Sequence, residues 1–249
     1  MSEIPQLFGA RAGAYASFRP EYPDALFHWL ANRCPEHQRA LDIACGNGQA
    51  SRPLRQYFAQ VLACDASLDQ LRASEDFGDI TLFAASAEAQ PLVSASLDLV
   101  VVAQALHWFA TPEFFAEVAR LLKPGGLFCA WCYSLLRIDG PLDELIDVFY
   151  WGTLGGYWPA GRSSVDAGYC DLYAPFPRIE LPDLAIEMQW NFNQLLGYLR
   201  TWSAVQCWEH QHDRDPVAEI APALREAWGD SNQPRVVRWP LHFLAGIPS

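Results

Sequence analysis

Two short apolar runs near the start of the chain end in residues that could hold a nucleoside. Residues 40–44 read Ala-Leu-Asp-Ile-Ala and lead into a turn that contains Gly46 and Gly48. A second apolar run ends at Asp65, about twenty residues after Asp42. Glycines let a backbone approach a ligand closely, and an acid after the next strand can accept protons from both ribose hydroxyls. The pattern predicts a nucleoside-binding β-α-β unit.

The turn by itself does not identify the cofactor. Ser51 could serve as the third small residue of a dinucleotide-binding turn, so the glycines alone do not exclude NAD. A phosphate-binding loop is excluded because no Gly-Lys-Ser/Thr follows. The hypothesis of a nicotinamide-dependent oxidoreductase is weakened by the lack of a Tyr-x-x-x-Lys pair, since the single lysine, Lys123, lies at a turn.

Alternating apolar patterns predict the elements that carry these residues. Thr111 and Pro112 are typical of a helix start, and residues 123–126, Lys-Pro-Gly-Gly, are typical of its end. Strict alternation of strand and helix up to residue 134 predicts a parallel, doubly wound sheet. The predicted strands are 40–44, 61–64, 80–84, 97–102 and 127–133, and the predicted helices include 24–33, 49–58 and one from Ser67 to about Glu75.

The second half of the chain has a different composition, because seven of the ten tryptophans lie beyond residue 134. The predicted fold class is α/β: a Rossmann-like, doubly wound, seven-stranded, mostly parallel sheet with a helical, aromatic-rich cap. The late elements predicted are strands 184–190 and 236–244 and helices 192–208 and 216–228. We expect a single domain over 1–249, with a lead-in (1–39), a cofactor-binding core (40–134) and a substrate cap with the last two strands (135–249).

The charge and the cysteine content limit the kinds of partner and compartment that we expect. The 249 residues include 17 basic and 29 acidic side chains, a net charge of −12 that disfavours nucleic acid and anionic membranes as partners. No signal-peptide pattern or transmembrane-length apolar run is visible, and seven scattered cysteines are typical of reduced thiols. His210 and His212 are more typical of a solvated helix end than of a metal site, so no metal is expected. We expect a cytoplasmic monomer or homodimer.

These segments resemble the class I S-adenosylmethionine-dependent methyltransferases over most of the chain. Residues 41–48 are similar to that family's first motif, whose turn cradles the methionine portion of the cofactor. Residues 85–92 are similar to the loop that borders adenine, 97–108 to the fourth-strand motif, and 121–126 to the turn before strand five. Ala44 stands where the family usually has glycine, a replacement that is tolerated if its φ is negative.

The resemblance implies S-adenosyl-L-methionine as cofactor and S-adenosyl-L-homocysteine as product. Asp65 is implied to hold the ribose diol, and the backbone amide of Ala87 is implied to border the adenine. The cofactor-binding residues so implied are Asp42, Ala44, Gly46, Gly48, Asp65, Ala66, Ala87, Glu88 and Gln104.

A narrower resemblance is to the small-molecule branch that includes trans-aconitate methyltransferase-like enzymes. Its marks are the Tyr15-x-x-x-Arg19-Pro20-x-Tyr22-Pro23 pattern, the segment 104–108 and the segment 199–204. It implies a small-molecule methyl acceptor, for example a carboxylate of the trans-aconitate kind. The acidic composition does not favour a highly anionic acceptor, so the acceptor stays open.

Four residues are candidates for catalysis. His107 and Trp108 follow the fourth strand, at the edge where such sheets bind ligands. His107 could act as a base on a hydroxyl, an amine or an acidic carbon, or it could only line the pocket. Tyr15 and Arg19 could close over the cofactor and reach its carboxylate or the substrate, or they could brace the lead-in helix.

Three residues in the second half are candidates for substrate binding. Arg200 could pair with a substrate carboxylate, and Trp202 and Tyr157 could form pocket walls. Each could instead be buried against the sheet, since aromatic residues are more often core. Two other functions stay open on the sequence: a nicotinamide-dependent oxidoreductase that uses Gly46-x-Gly48, and a non-catalytic cofactor-binding partner protein.

Overall fold

The computed structural model describes residues 20–73 and 77–248. Its contacts divide the chain into two compact units. The larger unit comprises Glu21–Ser134, Ser163–Ala185 and the chain from Leu241 onward, and the smaller comprises Leu135–Arg162 and Ile186–Pro240 with Pro20. Within the described ranges no helix has the length and apolarity needed to cross a bilayer.

Seven strands and nine α-helices are described. The strands are β1 (Arg39–Ile43), β2 (Gln60–Asp65), β3 (Thr81–Ala84), β4 (Leu97–Ala103), β5 (Leu122–Tyr133), β6 (Ala185–Trp190) and β7 (Arg235–Gly246). The α-helices are α1 (Asp24–Arg33), α2 (Ser51–Leu54), α3 (Leu68–Ala73), α4 (Pro112–Leu121), α5 (Gly140–Asp147), α6 (Arg162–Asp166), α7 (Phe192–Leu199), α8 (Ser203–His212) and α9 (Pro216–Trp228). A 3₁₀ turn spans Leu106–Trp108 and a π-helix spans Val148–Thr153.

The strands form one sheet in the order β3-β2-β1-β4-β5-β7-β6. β1 to β5 pair with their neighbours in parallel, and β7 runs antiparallel to β5. The predicted seven-stranded, mostly parallel α/β sheet is therefore confirmed. Chain order reverses between β1 and β4, and open sheets of this kind bind ligands beside such a switch point, at the carboxyl ends of the strands.

The central strands and α4 form where the sequence predicts them. The first six residues of β4, 97–102, are all buried, as expected for a strand covered on both faces. Thr111 caps α4, because its side-chain oxygen accepts a hydrogen bond from the Phe114 amide at 3.2 Å. The helix buries Phe114, Phe115, Val118 and Leu121 in the core of the larger unit.

Three local predictions were wrong, and one helical segment was missed. β5 begins at Leu122, because the chain enters the strand directly from α4 and Leu122 pairs with Leu97. The helix predicted over 49–58 is one turn, α2, and residues 55–57 continue only as turns whose amides donate to carbonyls three residues back. The helix predicted over 192–208 is two helices, because Trp202 is extended. The helical segment 140–153 was not predicted.

A buried carboxylate clamps the amino-terminal side of the sheet. Asp98 in β4 is 0% exposed and accepts hydrogen bonds from the amides of Gln38 and Arg39 at 2.8 and 2.7 Å. Its other oxygen accepts from Lys123 Nζ at 2.7 Å, and Lys123 also contacts Glu36 on the surface at 3.1 Å. One side chain thus joins the starts of β1, β4 and β5.

We expect Asp98→Ala to lower the free energy of unfolding by about 3 kcal/mol, because it leaves two backbone amides and an ammonium group without their buried acceptor. Urea unfolding monitored by circular dichroism measures this. Glu36→Ala removes only the exposed partner of the same lysine and should leave the midpoint nearly unchanged. An equal loss of unfolding free energy in the two variants would contradict the role of Asp98 in joining the three strands.

Candidate active site

One carboxylate ties together the turns that follow β1 and β2. Asp65, the last residue of β2, accepts a hydrogen bond from the Gly46 amide at Oδ2 (3.1 Å) and from the Ser67 amide at Oδ1 (2.8 Å). A carboxylate has about four acceptor positions, so these two bonds leave each oxygen able to accept one more. Asp65 is partly exposed and can offer that capacity to a ligand.

A cleft of about 240 Å³ opens beside Asp65 in the larger unit. Its walls come from the carboxyl ends of three neighbouring strands and from one aromatic residue after β4. The lining residues are Ile43, Ala44, Asp65, Ala66, Ala85, Ser86, Ala87, Glu88 and Phe109. Because most of these side chains are small, the cleft can accept a flat group close to the backbone.

Five of the predicted cofactor-binding residues line this cleft, and four do not. The lining set contains Ala44, Asp65, Ala66, Ala87 and Glu88. Phe109 lines it too but was not predicted, although it directly follows the His107-Trp108 pair and could have been found from that adjacency. Asp42, Gly46, Gly48 and Gln104 lie outside the lining set.

The backbone of the first turn is left-handed at three residues. Gly48 has φ +82°, and a Cβ there would lie 2.5 Å from a ring carbon of Phe77, so glycine is required for packing. Gly46 has φ +51° with no atom near a virtual Cβ, which leaves open space beside the turn. Ala44 has φ +57°, so the condition of a negative φ is not met. An alanine in this region costs about 1–2 kcal/mol.

Asp42 is a buried acid with no cation beside it among the described residues. Its side chain is 0% exposed, and Oδ2 accepts a hydrogen bond from Ser51 Oγ at 2.5 Å. The other oxygen, Oδ1, has no hydrogen-bond partner among the described residues. Burial raises the pKa of Asp42 to about 7; the Ser51 hydrogen bond opposes this rise and the nearby Asp65 adds to it.

Gln104 presents an unused donor at the end of β4. Its backbone has φ +58°, and its amide donates to the Trp131 carbonyl at 2.9 Å. Its side-chain Nε2 is buried and has no hydrogen-bond partner among the described residues. Buried amide nitrogens are rarely left unpaired, so this atom is a candidate for contact with a ligand.

His107 and Trp108 lie in the 3₁₀ turn after β4. The His107 Nδ1 atom is 3.4 Å from the hydroxyl of Tyr169, and the His107 and Trp108 rings are 4.7 Å apart. Trp108 is 39% exposed. Neither residue lines the cleft, whereas the adjacent Phe109 does.

The structure gives each predicted substrate residue a different partner within the smaller unit. Arg200 donates from Nε and Nη2 to one oxygen of Asp215, at 3.1 and 3.0 Å. Trp202 is 8% exposed and packs edge-on against Tyr150 in an aromatic cluster.

The remaining predicted residues fall elsewhere. Tyr157 forms a 2.7 Å hydrogen bond with Nε2 of His212. Tyr15 and Arg19 lie outside the described residues. Over residues 20–73 and 77–248, no three His, Cys, Asp or Glu side chains are grouped so that they could hold a metal ion.

Comparison with known proteins identifies the family. The family described as "Methyltransferase domain" matches residues 41–130. A protein of Dictyostelium discoideum named as a methyltransferase is 32% identical over 232 residues, which cover 90% of this chain and 88% of that protein. A Saccharomyces cerevisiae protein named a probable S-adenosylmethionine-dependent methyltransferase is 30% identical and covers 92% of each chain.

A solved structure is also similar over nearly the full length. It is described as a type II methyltransferase from Anaeromyxobacter dehalogenans, is 44% identical, and superimposes with a TM-score of 0.87 over 92% of this chain and 97% of the other. The order of the strands and the relatives that match nearly the full length indicate the same family. The chain belongs to the methyltransferase family with a Rossmann-like fold.

We expect Asp42 to make the folded state less stable as pH rises. Its pKa is about 7 in the folded protein against 3.8 ordinarily, so between these values the folded state keeps a proton that the unfolded state releases. The free energy of unfolding therefore falls through this window, and the loss is complete above about pH 7. Asp42→Asn lacks this contribution, so its stability relative to wild type should rise by ~1 kcal/mol or more between pH 5.5 and 8.

Urea unfolding of both proteins across that pH range measures the difference. Asp69→Asn, at an exposed acid in α3, is the matched control and should track wild type at every pH. A stability difference between Asp42→Asn and wild type that stays constant with pH would contradict a raised pKa.

Proposed function

We propose that the protein is an S-adenosyl-L-methionine-dependent methyltransferase that acts on a small-molecule acceptor. The observation that carries the proposal is the cleft beside Asp65, at the carboxyl ends of β1 to β3. Family membership supports methyl transfer, and the acidic side chain with small walls supports a nucleoside-containing donor. The net charge of −12 favours a small acceptor over nucleic acid.

The residues present fit this cofactor. The two free acceptor positions on Asp65 suit the two ribose hydroxyls, and the small walls from Ala85 to Ala87, with Phe109, suit a flat adenine. The left-handed turn with open space at Gly46 and the unpaired Nε2 of Gln104 suit the methionine portion. When bound, the sulfonium supplies an electrophilic methyl group.

The protein's own contribution is then alignment and exclusion of water. Methyl transfer needs the acceptor atom in line with the carbon–sulfur bond, and positioning of this kind can supply much of the rate enhancement. Phe109 brings apolar surface to the cleft where the cofactor would lie. A dry pocket also prevents competing attack by water.

Two acceptor classes place different demands on these residues. A carboxylate of the trans-aconitate kind needs no base but needs a cation to orient it, the role for which the sequence analysis named Arg200. The ion pair with Asp215 already compensates the charge of Arg200, so this role requires the pair to open. A hydroxyl, an amine or an acidic carbon instead needs a base, for which His107 is our candidate.

Isothermal titration calorimetry on the purified protein tests the proposal. S-adenosylmethionine and S-adenosylhomocysteine should both bind, and NAD should give no heat. Heat with NAD alone would favour an oxidoreductase. Tight binding of S-adenosylmethionine without methyl transfer to any of a panel of carboxylates, hydroxyl compounds and amines would favour a non-catalytic cofactor-binding protein.

We expect Asp65→Ala to weaken S-adenosylhomocysteine binding by about 10- to 100-fold, because the ribose hydroxyls lose their charged acceptor. Calorimetric titration gives the dissociation constants, and a thermal melt checks that the variant is folded. Asp69→Ala, which changes an exposed acid four residues downstream, is the matched control and should bind like wild type. Unchanged affinity in Asp65→Ala would mean that the ribose lies elsewhere.

A further inference from the structure

One wall of the cleft is a loop that has little secondary structure of its own. Residues 85–88, which directly follow β3, line the cleft, and the chain then runs on to β4. Within this loop the Ala89 amide donates to the Ser86 carbonyl at 3.3 Å. The Leu92 amide donates to the Gln90 carbonyl at 2.8 Å. Two such bonds offset little of the entropy of a loop, so its shape depends on contacts from outside it.

Arg120 in α4 supplies three of those contacts. Its Nη1 donates to the Leu92 carbonyl at 2.9 Å and to Ser94 Oγ at 3.0 Å, and its Nη2 donates to the Gln90 carbonyl at 3.2 Å. The remaining hydrogens pair with Glu117, one turn earlier in α4: Nε with Oε2 and Nη2 with Oε1, each at 2.7 Å. All five N–H donors of the guanidinium are therefore used, and their fixed planar arrangement lets one side chain reach every acceptor.

Glu117 contacts the same loop directly. Its Oε1 also accepts a hydrogen bond from the Gln90 amide at 2.7 Å, and its side chain is only 10% exposed. The hydrogen bond from Arg120 lowers the pKa of Glu117; burial opposes this change, and the Gln90 amide adds to it. A charged carboxylate thus connects the loop to Arg120.

Gln90 connects these contacts to the lining of the cleft. It is 6% exposed, and its Nε2 donates to the carbonyl of Ser86, a lining residue, at 2.6 Å. The Gln90 side chain also reaches Cys64, the residue before Asp65: burial raises the pKa of Cys64, and a hydrogen bond from Gln90 opposes the rise. One buried side chain therefore joins the loop to the end of β2.

We propose that Glu117 and Arg120 are positioning residues that hold residues 86–92 as a preformed wall of the cleft. Neither residue lines the cleft, so each acts through the loop. A loop that sampled other shapes would lower the apparent affinity for a ligand by the fraction of molecules in the competent shape. The identity of the ligand rests on the proposed function, in which the adenine of the methyl donor lies against this wall.

Hydrogen–deuterium exchange measured by mass spectrometry tests the wall directly. Peptides covering 85–94 report on the loop amides, and peptides covering β1 and β2 report on the rest of the sheet. In Arg120→Ala and in Glu117→Ala we expect several-fold faster exchange in 85–94 alone, because local opening no longer breaks these hydrogen bonds. Glu113→Ala, at an exposed acid in the first turn of α4, is the matched control and should exchange like wild type.

The exchange data also separate positioning from general stabilisation. An equal rise in every peptide would mean that the pair only stabilises the domain, and would overturn the proposal. Unchanged exchange in 85–94 would overturn it too. If Arg120→Ala fails to fold, Arg120→Lys replaces it: a lysine keeps the charge, but its three donors cannot serve all of these acceptors, so the same local rise is expected.

Calorimetric titration with S-adenosylhomocysteine measures the consequence for binding. We expect the dissociation constant to rise about tenfold in both alanine variants, as for a loop that is correctly shaped in about a tenth of the molecules. Glu117→Gln keeps an oxygen that can accept from the Gln90 amide, so it should recover most of the affinity and of the protection from exchange.

The two measurements fail in different ways. Unchanged affinity in a variant whose loop exchanges faster would overturn the positioning role. If wild type binds no S-adenosylhomocysteine, the proposed function fails, whereas the exchange data still decide whether Glu117 and Arg120 hold the wall.

Discussion

The Asp65 carboxylate is the interaction on which the candidate site depends. By accepting one backbone amide from each of two turns, it fixes the separation of the carboxyl ends of β1 and β2. Its remaining acceptor positions then face a space whose other walls are set by the sheet. The cleft is therefore a consequence of strand order: β1 and β2 are neighbours, β3 follows on the outer side, and β4 lies beyond the switch point.

Two buried aspartates in the same sheet have different surroundings, and burial therefore affects them differently. Asp98 has a lysine and two amides around it, so its charge is compensated and it holds three strands together. Within the part of the chain that the structure describes, Asp42 has one hydroxyl beside it and no cation, and its burial raises its pKa to about 7. Removing one partner of the first arrangement would leave buried groups unpaired, which is strongly destabilising. The second leaves one oxygen, close to the first turn, without a partner among the described residues, and a raised pKa of this kind is frequent at functional sites.

The sequence predicted the sheet better than it predicted the site. β4 was recognisable as a continuous apolar run, and α4 by Thr111 and Pro112 at its start, because these signals are local. The left-handed conformation of Ala44 was not predictable, since an alanine gives no sign that its neighbours will impose φ +57°. Nor does any periodicity mark Tyr169, whose hydroxyl meets His107 only after the chain has passed through α5 and α6. Side chains that touch across such distances follow from tertiary packing, which the pattern of a single sequence does not contain.

The central claim is that the cleft holds the adenosyl portion of the methyl donor, with its ribose on Asp65. A crystal structure of the protein grown with S-adenosylhomocysteine tests this most directly. The account predicts both ribose hydroxyl oxygens within hydrogen-bonding distance of the Asp65 carboxylate, and the adenine ring between Phe109 and the backbone of residues 85–88. Density for the ligand at another place, or a ribose held without Asp65, would contradict it.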